Sequence, residues 1–391
     1  MTSKARIPRS VWVLGAVSLL MDVSSEMIHS LLPLFLAGAL GVSVLAIGLI
    51  EGIAEATAMI SKVFSGTLSD YLGRRKGLAV FGYALGAITK PVFAMAQSAG
   101  PVFAARFIDR IGKGIRGAPR DALVADITPA NARGTAFGLR QSLDTVGAFL
   151  GPLVATGLMV LWAGDFRAVF WVASIPGFLA VALLVVGVKE PARESGRSPV
   201  SPISRRSLAR LGAAYWSVVW IGAILTLARF SEAFLVLRAA GLGVPVAWVP
   251  MVMVAMNVVY AATAYPAGKL ADSMRRDRLL MIGLAVLLAA DVALALSSGW
   301  LMLGLGIVLW GVHMGMTQGL LAAMVADTAP ADLRGSAFGF FNLVSGIATL
   351  FASAIAGILW VWLGPVATFA CGAVFCGLAL IALMGTVSRG T

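Results

Sequence analysis

The sequence predicts an all-α polytopic membrane protein with twelve transmembrane helices arranged as two related six-helix bundles. Three observations predict it: 59% of the 391 residues are hydrophobic and 12% are charged, apolar runs of about 20 residues recur along the chain, and the second half repeats motifs of the first. Soluble domains are about 45–50% apolar and about 25% charged. The composition therefore excludes a sizeable water-soluble domain.

Apolar runs between polar breakers predict the individual spans, and each run is long enough to cross a bilayer as a helix. The first six lie at about 11–37, 43–66, 77–98, 101–125, 134–160 and 166–188. The second six lie at about 212–238, 245–267, 279–298, 300–325, 335–360 and 364–387. The polar residues 189–211 predict a cytoplasmic linker between an N-terminal bundle, 1–188, and a C-terminal bundle, 212–391.

Basic residues set the predicted orientation in the membrane. The formal net charge of +12 would indicate nucleic-acid binding in a soluble protein, but 19 of the 30 Lys and Arg residues fall in alternate loops or at the termini. Lys and Arg concentrate on the cytoplasmic side of membrane proteins. We therefore expect cytoplasmic termini, a lipid-embedded monomer and no nucleic-acid partner, and the short loops favour a bacterial inner membrane.

The two halves share motifs at a period near 200 residues. The repeated segments are 66–70 with 268–272, 124–138 with 325–339, and Ser25-Glu26 with Ser231-Glu232. Repetition in three separate places predicts two similar bundles related by a pseudo-two-fold axis, with a cavity between them. That architecture is found among secondary transporters.

The loop after span 2 reads GTLSDYLGRRK. It resembles the G-x-L-x-D-x-x-G-R-R-[RK] motif of the major facilitator superfamily, and the resemblance extends over the whole chain. In that family the motif latches the outward-open state, which implies latch roles for Gly66, Asp70, Gly73, Arg74, Arg75 and Lys76. A loop that only fixes orientation would explain the three basic residues but not the glycines and the aspartate at this spacing.

Span 5 carries a second family motif. Gly138, Gly147, Gly151 and Pro152 resemble the G-x8-G-x3-G-P pattern associated with exporters that work by antiport. Small residues four apart form a face for close helix packing, and Pro152 removes a backbone hydrogen bond. Helix packing without any link to transport direction is the alternative interpretation.

Span 4 predicts a charged stripe. Five charged residues recur at intervals of 3, 4, 3 and 4, which places them within about 80° on one face of a helix. They are Arg106, Asp109, Lys113, Arg116 and Arg120. Each charge facing lipid would cost at least about 2.5 kcal/mol, so we expect the stripe to face water, partners within the bundle or an anionic ligand. Arg106 also resembles the family's span 4 arginine linked to proton coupling, although Arg110 stands where that motif usually has glycine.

Span 1 carries acids that could balance the stripe. Asp22, Glu26 and His29 share one face about 60° wide, and Glu232 repeats Glu26 in span 7. The resemblance implies that spans 1, 4, 7 and 10 line the cavity. We therefore predict proton-coupling roles for Asp22, Glu26, Asp109 and Glu232. We predict substrate contacts at the four span 4 cations and at His29, Glu232 and His313. Fixed charge neutralisation by the span 1 acids is the alternative.

Sites for enzyme chemistry are missing from the sequence. It contains no Gly-rich phosphate loop, metal-ligand spacing or nucleophile elbow, and Cys371 and Cys376 are expected to pack as small apolar groups. We therefore expect no enzyme activity, cofactor or metal. The resemblance implies a proton-coupled transporter of a small anionic or zwitterionic organic compound, working by efflux antiport. The alternative is a proton symporter that imports an organic anion or a metal chelate.

Overall fold

A computed structural model describes residues 8–72, 75–129, 132–189, 210–330 and 333–387. Within these ranges twelve long helices follow one another, the seventh in two pieces. They are α1 Arg9–His29, α2 Val44–Leu72, α3 Arg75–Met95, α4 Ala99–Ile127, α5 Arg133–Leu161, α6 Phe166–Gly187, α7a Ala213–Ala228 with α7b Ala233–Gly241, α8 Met251–Ser273, α9 Arg276–Ala295, α10 Trp300–Thr328, α11 Arg334–Leu363 and α12 Pro365–Val387. The predicted linker lies almost wholly outside the described residues.

Eleven of these helices are long and apolar enough to cross a membrane. The twelfth, α4, has 29 residues and therefore sufficient length, but charged residues interrupt its apolar surface. The all-α, twelve-helix architecture predicted from the sequence is confirmed.

The helices form two compact units. Unit 1 comprises Met1–Leu32 and Thr57–Ser201, and unit 2 comprises Pro33–Ala56 and Pro202–Thr391. In unit 1, α1 packs along α5 and α6, while α3 packs along α4 and α6. The backbones of α3 and α4 come close together where Gly82 faces Gly112: a methyl group on either glycine would lie within 2.7 Å of the other's carbonyl oxygen.

Unit 2 repeats this packing. Helix α7a packs on α11 and α12, and α9 packs on α10 and α12. Glycines recur at the helix crossings, since Gly114 of unit 1 faces Ser61 and Gly315 of unit 2 faces Thr263, each closer than a Cβ atom would allow. The sequence repeat is therefore also a repeat of helix packing within each unit.

An ion pair recurs at one end of each unit. Arg75 at the start of α3 pairs with Asp126 near the end of α4. Arg276 at the start of α9 pairs with Asp327 near the end of α10. Both repeated residues stand 201 positions after their counterparts, which gives the register of the repeat.

Spans 1 and 7, predicted as continuous helices, are interrupted. Helix α1 ends at His29, and a short helical segment with a π-helix over Phe35–Ala39 follows it. Span 7 breaks between α7a and α7b, and beside the break the Ser231 hydroxyl oxygen accepts a hydrogen bond from the Ala233 amide, a local bond of the kind that competes with helical bonding. The break places Arg229 and Glu232 at the two helix ends that flank it.

Candidate functional site

The charged stripe lies on α4 as one uninterrupted helix from Ala99 to Ile127. Arg106, Asp109 and Arg116 are buried, with exposed fractions of 2%, 3% and 4%. Arg120 is half-buried and Lys113 is exposed. The accessible cation of the predicted stripe, Lys113, therefore lies in the middle of it, between the buried Asp109 and Arg116.

A buried ion pair joins α3 to the stripe. The Lys90 ammonium donates to the Asp109 carboxylate at 2.8 Å and to the Ser25 hydroxyl at 3.0 Å. The Arg110 guanidinium lies 3.4 Å from the other Asp109 oxygen. Asp109, predicted as a proton-coupling residue, thus lies between two cations. Helical spacing within α3 gives no sign of this partner of Lys90.

Arg116 lies between an aromatic ring and a span 1 acid. Its guanidinium carbon stands 4.8 Å from the centre of the Tyr83 ring, a cation–π distance. Its Nη2 is 4.0 Å from an Asp22 carboxylate oxygen, at the outer limit of an ion pair, and its buried Nη1 has no hydrogen-bond partner. Arg116 therefore retains hydrogen-bonding capacity toward a further acceptor.

A second group of ion pairs ties α4 to α5. Arg120 donates to Asp121 at 3.1 Å and to the Ser18 hydroxyl at 3.2 Å. Arg140 pairs with Asp144 one turn away, as the i,i+4 spacing predicts, and lies 3.6 Å from Asp121. These contacts neutralise the end of the stripe that Arg120 occupies.

Glu26 and His29, predicted to share one face of span 1, form an ion-pair contact in the structure. A Glu26 oxygen lies 3.5 Å from the His29 Nδ1, and both side chains are largely buried. Lys113 and Arg110 act electrostatically on Glu26, whereas Lys113, Arg116 and Arg120 act on Asp22. The span 1 acids and the span 4 cations thus form one electrostatic group within unit 1.

Glycines of α5 fix the position of the span 1 acids. A Cβ atom on Gly147 would lie 2.9 Å from the Asp22 Cβ, and one on Gly151 would lie 2.7 Å from the Glu26 Cβ. The motif predicted for close packing therefore places α5 directly against the acidic face of α1. The packing does not extend to Gly138, where a Cβ would meet no described atom within 4 Å.

The charges of this group do not cancel. Among the described residues, seven cationic side chains and five carboxylates take part in this group, a formal excess of two positive charges. The cations are Lys90, Arg106, Arg110, Lys113, Arg116, Arg120 and Arg140, and the acids are Asp22, Glu26, Asp109, Asp121 and Asp144. We name these twelve side chains the unit 1 charge cluster. Such an excess inside a membrane-spanning unit favours a counter-anion.

Unit 2 carries a smaller polar group at the break in span 7. Glu232, Glu55 and Tyr260 act electrostatically on Arg229. His313, predicted as a substrate contact, is fully buried: its Nδ1 lies 2.8 Å from the Gly283 carbonyl oxygen and its Nε2 3.4 Å from the Thr317 hydroxyl. This geometry supports a packing role for His313 and gives no support to a substrate contact.

Six residues were predicted to form the latch. Gly73 and Arg74 lie outside the described residues, and neither the surroundings of Gly66 nor the side chain of Asp70 is described. Of the remaining two, Arg75 also donates to the Ala122 carbonyl, and Lys76 donates to the Val185 carbonyl at 2.7 Å. These two cations therefore fasten the start of α3 to the ends of α4 and α6.

Two units of six helices with matching internal packing, built mostly from apolar spans, define the class of polytopic transport proteins. The family model of the Major Facilitator Superfamily matches residues 14–258 and 233–390. The chain belongs to this superfamily. The resemblance drawn from the loop and span 5 motifs is thereby confirmed, and the protein belongs to a family of transporters rather than enzymes.

Relatives cover most of the chain. The uncharacterised MFS-type transporter MJ1317 of Methanocaldococcus jannaschii is 32% identical over 378 residues, covering 94% of this chain and 92% of the relative. The quinolone resistance protein NorA of Staphylococcus aureus is 26% identical over 219 residues, covering 56% and 54%. A solved POT family transporter has the same fold, with a TM-score of 0.82, 13% identity and coverage of 98% and 96%.

Proposed function

We propose that the protein is a proton-coupled secondary transporter that exports a small anionic or zwitterionic organic compound by antiport. It works by alternating access, in which the substrate site is open to one side of the membrane at a time. We further propose that it acts as a monomer in a bacterial inner membrane with both termini in the cytoplasm.

The observation that carries the substrate class is the excess of positive charge in the unit 1 charge cluster. Arg116 has a buried nitrogen without a hydrogen-bond partner, and Lys113 is exposed. An anionic group bound between them would complete the hydrogen bonding of Arg116 and reduce the cost of the uncompensated charge. A cationic substrate would add to that charge instead.

Proton coupling is assigned first to Glu26 and Asp22. Both are partly accessible, with side-chain exposures of 17% and 27%, whereas Asp109 is bound to Lys90 and 3% exposed. The proton affinity of a carboxylate close to a substrate-binding cation depends on whether the substrate is bound, because the charges of the substrate and of the carboxylate interact. With a zwitterionic substrate, the substrate's cationic group and a proton compete for the same carboxylate while its anionic group binds the cations, and this competition gives exchange.

The direction of transport is supported by the span 5 motif. Gly147 and Gly151 hold the acids of α1 against α5, and NorA, a relative in the same superfamily, is by name a resistance protein. Import by symport is the alternative, and the proteoliposome assay described next distinguishes the two directions.

The substrate class is tested by a transport screen in proteoliposomes containing the purified protein and an internal pH-sensitive dye. Matched organic anions, zwitterions and cations are added outside, and proton movement is recorded for each. Antiport predicts that an accepted anion or zwitterion drives protons out of the lumen. Proton entry with substrate indicates symport, and acceptance of cations alone contradicts the proposed substrate class.

The role of the stripe is tested by Arg116→Ala and Arg116→Lys. We expect Arg116→Ala to lower transport at least tenfold, since a hydrogen bond to a charged group contributes about 1.5–3 kcal/mol. Arg116→Lys should retain part of the activity through its charge. Arg278→Ala, which removes an exposed arginine at the start of α9, is the matched control, and equal activity in all variants would contradict the proposal.

A further inference from the structure

One carboxyl group in unit 2 stands apart from every charge described above. Asp291 on α9 is 0% exposed. Its Oδ1 has no hydrogen-bond partner, and its Oδ2 lies 3.9 Å from the Cys376 thiol, a weak donor. Among the described residues, no Lys, Arg or His nitrogen comes within ion-pair distance of it.

The repeat register identifies the unit 1 residue that corresponds to Asp291. Counting 201 residues on from Lys90 gives Asp291, and the same step from Asp109 gives Trp310. In unit 1 a buried ammonium group therefore lies beside a carboxylate. In unit 2 the corresponding groups are a buried carboxyl group on α9 and an indole on α10, the helix that packs against α9. The Trp310 Nε1 is also buried without a hydrogen-bond partner.

The described side chains of the neighbouring helices supply no compensating charge. Cys371 and Cys376 of α12 are the ionisable groups that interact with Asp291. On α10, His313 is bonded to the backbone of Gly283, two turns along α9 from Asp291. An ionised carboxylate without a cation in such a setting costs several kcal/mol, whereas a neutral acid retains its own O–H donor.

A crevice leads toward the carboxyl group. It is narrow, with an interior volume of about 10 Å³ that has room for about one water molecule, and it lies between the end of α7a, α11 and α12. Gly372 lines it, and a Cβ atom on Gly372 would lie 2.6 Å from the Asp291 Oδ2 and 3.1 Å from the Phe230 ring. The carboxyl group is thus separated from the crevice by a residue without a side chain.

We propose that Asp291 is a proton-binding site of unit 2, protonated near neutral pH and reached through the crevice at Gly372. Phe230 forms part of the crevice wall and lies in the break of span 7, so a change at that break alters access to the acid. Asp291 is also a second binding site for the coupled proton. This role rests on the proposed proton-coupled function.

The protonation is tested by infrared spectroscopy of the purified protein in lipid near neutral pH. We expect a C=O stretching band of a protonated carboxylic acid that shifts when all aspartates carry ¹³C in the carboxyl group. Asp291→Asn should lose this band, and Asp327→Asn, which removes a solvent-exposed ion-paired carboxylate, should keep it. A wild-type band in Asp291→Asn, or no aspartate-sensitive band in the wild type, overturns the proposal; the second result needs no variant to fold.

The route is tested by exchange into deuterated water. Gly372→Ala should slow the deuterium shift of the Asp291 band severalfold, because its methyl group fills the gap beside the carboxyl group. Gly377→Ala, at a glycine with no described atom within 4 Å of a Cβ, should leave the rate unchanged. Equal rates in both variants overturn the access route.

The coupling role is read from the pH profile of transport, which we expect to flatten in Asp291→Asn. An unchanged profile, with the infrared band lost, overturns the coupling role while the binding site stands. If wild-type transport moves no protons, the proposed function fails, and the infrared result still decides whether Asp291 binds a proton.

Discussion

The ion pair between Lys90 and Asp109 makes a quantitative prediction about the stability of unit 1. The two residues are 1% and 3% exposed, and their charged atoms are 2.8 Å apart. Removing one partner of a buried pair costs about 3–5 kcal/mol because the other charge loses its compensation. The remaining contacts decide which single substitution costs more.

Asp109→Asn should be the more damaging change. It leaves Lys90 with the Ser25 hydroxyl and leaves Arg110 without its carboxylate at 3.4 Å, so we expect a loss near 5 kcal/mol in the free energy of unfolding. Lys90→Met leaves Asp109 beside Arg110, and its loss should be near 3 kcal/mol. In the double variant the isolated ammonium is gone, so the loss should fall well below the sum of the single losses.

Denaturant titration in mixed micelles, followed by tryptophan fluorescence, measures these free energies. Lys62→Met, at an exposed lysine of α2, is the matched control, with an expected change within about 0.5 kcal/mol. If the losses of the two single variants add to that of the double variant within about 0.5 kcal/mol, the two residues are not coupled and the description of the cluster is wrong.

Three further predictions concern the glycine motif, the span 1 acid and the repeated ion pair. Gly151→Val should cost about 1–3 kcal/mol of stability by overpacking against Glu26, whereas Gly138→Val should be nearly neutral; similar losses in unfolding titrations would contradict the packing account. Glu26→Gln should remove most of the pH dependence of transport, and a wild-type pH profile would exclude Glu26 as a proton carrier. Asp327→Asn should lower the free energy of unfolding by less than about 1 kcal/mol, because its pair with Arg276 is solvent-exposed. A loss above this value that persists at high salt would contradict this expectation.

Much of the fold could be predicted from the sequence because membrane helices must be long and apolar. The one helix that breaks the apolar rule, α4, was recognisable from the spacing of its charges at 106–120. The latch and span 5 motifs indicated the superfamily because they combine glycine, proline and charge at fixed spacing.

The pairing of charges could not be predicted in the same way. Lys90 meets Asp109 across two helices, and helical spacing gives information only within one helix. The break in span 7 lies beside a side-chain bond of Ser231 to the backbone, and neither feature changes the apolar pattern of the sequence. His313 looked like a cavity residue on the family pattern, yet its bond to Gly283 depends on how α9 and α10 pack.

The central claim is that the positive excess of the unit 1 charge cluster binds an anionic group whose movement is exchanged for protons. It is tested most directly by recording substrate-driven proton flux in proteoliposomes with the wild type, Arg116→Ala and Arg278→Ala side by side. We predict outward proton movement on addition of an accepted anion for the wild type and Arg278→Ala, and at least a tenfold lower rate for Arg116→Ala. Equal flux in all three proteins, or transport of the anion without any proton movement, would contradict the account.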